Sequence, residues 1–485
     1  MKPFSKISAL KILLIAALIL FTTAARFSML QKSSEPNGLD GYYYALQAKS
    51  FAQTGHLENP SHEPGYYLCG IFAKLMQDPI TGCKIYSALS SALICAGVYF
   101  LLYSLTKSFI DGTMGFLLCA CSPCIALIST NYINNQTGIV FFLFFTAFFA
   151  REKILPSVIF FFLSCLSHKV TLAYSLILVA LMTFQKINRK KMLIIPLSIS
   201  LIFATALLAF QFPRFKSSVA MPSLLFTNKS ITRQLSFGTC EMTAVCLLSW
   251  GCTIWLCIYA FLKKNFSRTK AICIFVFNTV MFFPFWNFNS GNEMGFRLYL
   301  SAMPFGIALI IFTIFTSVKF ENLSDRTKTI ASCTTAILLI SASIFLTPKI
   351  YNPRHDPPYK YYKSVVKNIE LNDDSLLIAH LGLNHTYTYY KNLRWSLNYI
   401  PDFPVKGGIW RLAYGASRTR IEEVLQVENS ADITEINTEY ILIKENLWQQ
   451  YLEKEEKEIS DSFKNWYNPH MIRPSFIRRK IRFIM

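Results

Sequence analysis

The sequence predicts a polytopic α-helical membrane protein of about eleven spans, followed by a small extracytoplasmic α/β domain. Three observations carry this expectation. The 485 residues are 53% hydrophobic and only 16% charged, whereas a soluble chain of this length is about a quarter charged. Apolar runs of membrane-crossing length recur through residues 1–348. Beyond that point the composition turns polar and mixed, with both strand-like and helix-like patterns.

The apolar runs lie at 10–29, 84–106, 113–130, 137–150, 154–167, 170–184, 192–210, 240–262, 271–287, 297–318 and 329–347. The first, within "MKPFSKISALKILLIAALILFTTAARF", reads as an uncleaved span. A signal peptide is the alternative, and either reading leaves the following residues outside the cytoplasm. With the N-terminus inside, the cytoplasmic connections hold Lys107, Arg151 with Lys153, "QKINRKK" at 185–191, "KKNFSRTK" at 263–270, and Lys319 with "DRTK" at 325–328. The short outer connections "NYINNQ" and "NFNSGNEMG" hold no Lys or Arg. That asymmetry is the positive-inside pattern. It requires three passes in 137–184, each short, and puts Lys169 at the outer end of a hairpin.

The formal charge of +20 would suggest nucleic acid in a soluble protein. Here most of the excess lies in loops that set topology, so no nucleic-acid partner is expected. Many of the 13 cysteines sit inside apolar runs, as in "LLCACSPCIAL". Buried Cys behaves as a small hydrophobe, so no disulfide framework follows. The CxC and CxxC spacings lack further His or Cys partners, and no metal site is expected there.

After Thr347 a Pro- and Tyr-rich linker, "TPKIYNPRHDPPYKYYK", leads into the polar region, giving a domain over 349–485. "DSLLIAH" and "EYILIK" read as strands; "RTRIEEVLQ" and "ENLWQQYLEKEEKE" read as helices. The basic tail "RPSFIRRKIRFIM" reads either as a headgroup-binding segment or as a solvated end.

The first outer loop, residues 30–83, is the longest between spans. "YYYALQAKSFAQTG" reads as an amphipathic helix along the membrane surface. "HEPGYYLCGIFAKLM" is a second apolar piece too short to cross. Such a loop roofs a cavity suited to a substrate with a lipid tail and a polar head. Within it, "LDGYYYALQAKS" sets one carboxylate, Asp40, before three tyrosines.

These motifs resemble the GT-C glycosyltransferases, in particular the branch holding protein O-mannosyltransferases and bacterial aminoarabinose transferases. "LDGYYYALQAKS" resembles that branch's acid-Tyr motif after the first span. "HEPGYYLCGIFAKLMQDPITGCKIYSALSSAL" resembles its Pro-x-Tyr-Tyr element and second span. "LSHKVTLAYSLILVAL" and "GFRLYLSAMPFGIAL" resemble its Thr-Lys-Tyr and Arg-Tyr-Leu elements. The order of the four matters more than any one. The resemblance implies transfer of a sugar from a polyprenyl-phosphate donor to a glycan, lipid or protein acceptor, outside the cytoplasm and with inversion. A bacterial inner membrane is the expected location, with membrane lipids as surroundings.

In that scheme a carboxylate takes the acceptor's proton, and Asp40 is the candidate. The departing phosphate needs cations at the membrane boundary; Lys169 and Arg297 are the candidates. Tyr42, Tyr43, Glu63, His168 and Glu293 are candidate contacts to sugar, lipid or acceptor. Each has a plainer reading. Asp40 suits a helix N-cap, the tyrosines an interfacial belt, and Lys169 and Arg297 snorkelling side chains. His168 reads as a loop residue; Glu63 and Glu293 read as loop carboxylates. Many relatives carry a second acid in the second outer loop, where this chain has Asn131, Asn134 and Asn135. With no DxD in the first loop either, no cofactor and a metal-independent reaction are expected. An O-antigen-type polymerase or ligase, a lipid-linked sugar transporter and a non-catalytic assembly subunit are the competing classes. The transporter predicts an internal repeat, and none is found.

Overall fold

The computed structural model describes residues 6–38, 40–186, 237–262, 267–282, 293–317, 359–372, 374–379, 381–391, 396–397 and 404–456. The chain forms two compact units: Met1–Ser34 with Phe51–His355, and Glu35–Ser50 with Asp356–Met485. The acid-tyrosine segment of the first outer loop therefore groups with the C-terminal residues, a division that no local pattern announces.

The first unit is helical. Its described elements are α1 (Lys6–Leu30), the end of α2 (Gly41–Thr54), α3 (Pro64–Met76), α4 (Pro79–Thr106), α5 (Phe109–Cys121), α6 (Pro123–Asn131), α7 (Ile133–Ala150), α8 (Ile154–Ser167), α9 (Lys169–Lys186), α10 (Phe237–Leu262), α11 (Arg268–Phe282) and α12 (Glu293–Ser317). Every expected span among the described residues coincides with a helix or a helix pair. The runs at 192–210 and 329–347 lie outside the described residues. Four of these helices are long and apolar enough to cross a membrane: Lys11–Leu30, Pro79–Thr106, Ile133–Ala150 and Ala244–Leu262. The stretch read as three passes does form three helices, α7 to α9, and α8 and α9 are shorter apolar helices.

One expected span is broken. Residues 113–130 form α5 and α6, which bend by 59°. The cause is local: Ser122 has extended backbone and accepts from Ile125 N–H at 3.2 Å, with Pro123 opening α6. Ser-Pro is a helix start, because Pro lacks the N–H that the previous helix needs. Elsewhere "DPIT" starts α4 in the same way, Asp78 accepting from Thr81 N–H at 2.9 Å.

The helix α4 is the axis of this unit, packing against α1, α3, α5 and α7. Ile94, Leu102, Phe116, Phe142, Phe161 and Phe282 anchor the shared core. The helix α3 buries Tyr66, Cys69 and Ala73 and exposes Tyr67, Ile71 and Leu75. Those three exposed residues recur every four positions and form one apolar stripe, as an in-plane interfacial helix requires. By contrast, α2 buries Tyr42, Tyr44, Ala45, Leu46, Gln47 and Ala48, residues that cover several of its faces. It is a helix packed on several faces and not one with a single buried stripe.

The second unit holds a five-stranded mixed sheet in the order β2-β1-β3-β5-β4. Its strands are β1 (Leu376–Ile378), β2 (Ser396–Leu397), β3 (Ile409–Tyr414), β4 (Ile433–Glu435) and β5 (Tyr440–Lys444). The helices are α13 (Tyr359–Lys367), α14 (Leu381–Lys391), α15 (Arg418–Leu425) and α16 (Glu445–Glu456). "EYILIK" is apolar without alternation because both faces of β5 are covered. Tyr440 and Leu442 join the core formed with Val365, Ile369 and Tyr387, whereas Ile441 and Ile443 join the core formed with Ile421, Trp448 and Tyr451. Arg411 in β3 makes a buried two-pronged ion pair with Glu445 at 2.6 and 2.7 Å. It thereby ties the sheet to the first turn of α16.

Candidate functional site

In the second unit, Asp40 stands immediately before α2. Its carbonyl accepts from Tyr44 N–H at 3.0 Å, the first bond of the helix, and Gly41 N–H reaches Gly38 O at 3.3 Å. Gly38 has φ of +80°, which a residue with a Cβ adopts at a cost. A turn therefore closes between Gly38 and Gly41, and Asp40 occupies the N-cap position, half-buried.

The tyrosines after it are not an interfacial belt. Tyr42 is 1% exposed. Its hydroxyl hydrogen-bonds the Glu35 carboxylate and, at 2.8 Å, the Tyr390 hydroxyl. Its ring meets those of Tyr389 and Tyr390 edge-on, with centroids 5.3 and 5.7 Å away. Burial and the neighbouring Glu35 push the Tyr42 phenol well above its ordinary range. Lys363 reaches Glu35 at 3.4 Å and lies over the Tyr390 ring at 5.0 Å. Its ammonium is held above the usual range, first by the hydrogen bond to Tyr390 and then by Glu35. Tyr43 packs against His385 with centroids 5.0 Å apart, and Gln47 donates to its hydroxyl at 3.0 Å. Burial drives the His385 imidazole down to about 4.

In the first unit, the expected outer loop "NYINNQ" is not a loop. The helix α6 ends at Asn131 and α7 begins at Ile133, with Tyr132 as the joint. Asn134, Asn135, Gln136 and Thr137 form the buried first turn of α7. Buried polar side chains need partners, and most of these have them. Gln136 donates to Ser87 O at 2.7 Å, and Thr137 pairs with the Tyr86 hydroxyl at 2.7 Å. Asn134 donates to the Glu63 carboxylate at 2.5 Å, and Ser301 of α12 donates to Asn135 Oδ1 at 3.0 Å. Asn134 Oδ1 and Asn135 Nδ2 are buried with no hydrogen-bond partner among the described residues. Gly65 permits the arrangement: a Cβ there would come within 2.2 Å of Asn134 Oδ1. A carboxylate, Glu63 just before α3, thus lies beside the first turn of α7.

His168 joins α8 to α9 in extended conformation, and its Nδ1 accepts from Val170 N–H at 3.2 Å. The ring caps α9, in keeping with the plainer reading. Lys169 is the first residue of α9, half-buried at the joint between α8 and α9. Gly138 lets α7 approach this hairpin, since a Cβ there would meet Thr171 Oγ1 at 2.4 Å. Glu293 and Arg297 belong to the first two turns of α12; their side chains lie outside the described residues. Sequence reasoning passed over Lys84. It lies in the second turn of α4, 3% exposed, with Nζ donating to Ser33 O at 2.5 Å. A lysine buried this deeply stays charged only among acceptors or anions. Its signal was a lysine at the very edge of an apolar run. Among the described residues no three His, Cys, Asp or Glu side chains converge as a metal site requires.

No family model and no curated protein matches this chain in sequence. Solved structures do match in fold. The chain is similar to ArnT from Cupriavidus metallidurans. The apo ArnT structure superposes with a TM-score of 0.55 at 11% identity, covering 89% of this chain and 97% of that one. A second ArnT structure, bound to undecaprenyl phosphate, gives 0.53 with the same coverage. The apo oligosaccharyltransferase of Archaeoglobus fulgidus gives 0.52 at 10% identity, over 79% of this chain and 64% of that one. ArnT, an aminoarabinose transferase, and this oligosaccharyltransferase are both GT-C glycosyltransferases, so the resemblance read in the four motifs is present in the fold. The apolar helices and these membrane-protein neighbours make the chain an integral membrane protein.

Proposed function

We propose that this protein is a GT-C-type glycosyltransferase that moves a sugar from a polyprenyl-phosphate donor to an acceptor hydroxyl on the extracytoplasmic side of the membrane. The observation that carries this reading is the shared fold along nearly the whole length of ArnT, one of whose structures holds undecaprenyl phosphate. The ordered motifs support it independently.

In this reading Asp40 accepts the proton of the attacking hydroxyl, whose own pKa is too high for it to ionise unaided. The acceptor oxygen bonds to the anomeric carbon from the face opposite the phosphate. The carbon–oxygen bond to phosphate breaks, and polyprenyl phosphate leaves with the electron pair. Inversion follows from that single displacement. Lys169 and Arg297 neutralise the departing phosphate, and the buried Lys84 joins them as a candidate. No step calls on a metal ion. Glu63, Asn134 and Asn135 present a carboxylate, an amide oxygen and an amide N–H, a set suited to hydroxyl groups of a sugar or acceptor. His168 acts through the backbone N–H it accepts from, Tyr42 acts through its packing, and Tyr43 remains a candidate contact. Glu293 remains a candidate contact by its place before Arg297 in α12. The C-terminal domain and the first outer loop lie on the same, extracytoplasmic side of a bacterial inner membrane.

The test is mass spectrometry of lipid-linked sugars and envelope glycans in cells with and without the chain. The reading expects one polyprenyl-phosphate sugar to accumulate without it and one glycan, lipid or protein to lose that sugar. Unchanged pools and glycans would overturn it.

A further inference from the structure

We infer that the C-terminal unit positions Asp40, through a hydrogen-bonded network of Glu35, Tyr42, Tyr390 and Lys363; this rests on the general-base role proposed above. The four residues come from three separate segments. Glu35 and Tyr42 flank Asp40 in the chain, Lys363 lies in α13, and Tyr390 lies near the end of α14. The Tyr42 hydroxyl bridges the Glu35 carboxylate and the Tyr390 hydroxyl, and Lys363 closes the group at 3.4 Å from Glu35. Glu35 is 5% exposed and Tyr42 1%. A buried carboxylate without these donors would be strongly disfavoured, so the network specifies one arrangement of both segments that lead to Asp40.

A second clamp acts further along the same helix. Lys49 donates to Tyr389 O at 2.7 Å and lies over the Tyr389 ring at 4.9 Å. The helix α2 is therefore held at its first turn and again two turns later, both times by the Tyr389–Tyr390 pair of α14. Asp40 sits on the turn that the first clamp fixes. A group that must accept a proton in the transition state gains its effect from placement, and misplacement by about 1 Å costs on the order of 100-fold in rate. The network lies two residues from Asp40 in sequence, and none of its members has to touch substrate to matter. Glu35, Tyr42, Tyr390 and Lys363 are positioning residues in this account.

The experiment uses membrane vesicles from a strain lacking the chain, which contain its donor and acceptor, supplemented with purified full-length variants. The readout is the initial release of free undecaprenyl phosphate per folded enzyme, as donor concentration is varied. Tyr42→Phe keeps the ring packing and removes the bridge; Lys363→Ala removes the half-buried end of the network. Each is expected to lower kcat about 10- to 100-fold with little change in KM, and Lys363→Arg to restore most of the loss. The decisive comparison repeats both changes in the Asp40→Asn background, where neither should lower the residual rate further. Wild-type kcat in both variants, or an equal loss in both backgrounds, would overturn the inference while leaving the general-base reading intact. Full activity of Asp40→Asn alone would overturn that reading instead, and the positioning role with it.

Discussion

Replacing Gly65 by Ala tests the polar cluster with the smallest available change. The added Cβ would stand 2.2 Å from Asn134 Oδ1 and 3.0 Å from Thr137 Oγ1. An ordinary contact is above 3.4 Å, so one partner must withdraw by about 1 Å. Asn134 is the freer of the two, and its withdrawal stretches the 2.5 Å bond to Glu63 to non-bonding length. Losing a hydrogen bond to a charged group costs about 1.5–3 kcal/mol. Ala gains up to about 1 kcal/mol over Gly in a helix, so the net change is a loss of about 0.5–2 kcal/mol. Gly251 in α10 is the internal control, since a Cβ there meets nothing within 4 Å. Thermal melts in one detergent should place Gly65→Ala below wild type and Gly251→Ala at or above it. Transfer activity should follow the same order. Equal melting midpoints and equal activity for the two variants would refute the packing of Asn134 against α3 and its link to function.

Ala at Lys169 or at Arg297 should each weaken donor use, by the loss of about 1.5–3 kcal/mol of charge-assisted contact. Titration of wild type and variants with undecaprenyl phosphate checks this, and retained affinity in both would leave them as snorkelling residues. Arg411→Met strands the Glu445 carboxylate in the interior and should destabilise the second unit by about 3–5 kcal/mol, whereas the double change with Glu445→Leu should recover most of that. Hydrogen exchange of β3 and β5 reports both. His385 titrates at about 4 in the folded chain and near 6.5 when unfolded. The unfolded state therefore binds the proton first on acidification, and the stability linked to this group is full above about pH 6.5 and lost as pH falls towards 4. Exchange in α14 should accelerate over that window, and His385→Phe should flatten the response.

Local chemistry was the readable part of this chain. Among the described residues the apolar runs became helices because their length and composition leave little choice. The three helices over 133–186 were legible from charge alone, through Arg151, Lys153 and "QKINRKK". "EYILIK" and "ENLWQQYLEKEEKE" formed the strand and helix their patterns suggested. The break at Ser122 was written in "CSPC", but an apolar run on both sides hides a helix start. The burial of Asn134 to Thr137 was not legible, because a polar turn reads as a loop until a neighbouring helix covers it. Nor was the Tyr42 network. Its partners are more than 300 residues away in sequence, and only the fold brings Glu35 and Tyr42 to Tyr390 and Lys363. Arg297, read from a motif, and Glu293, read as a loop carboxylate, keep only their helix positions.

The replacement of Asp40 by Asn tests the account most directly. Asn has nearly the same shape and serves equally as an N-cap, but it takes no proton at neutral pH. The measurement is transfer of radiolabelled sugar from polyprenyl phosphate in proteoliposomes, beside a thermal melt of each protein. A melt like wild type with transfer reduced about 100-fold or more is the expected result. Near wild-type turnover in a well-folded Asp40→Asn variant would contradict the account and leave Asp40 a helix cap.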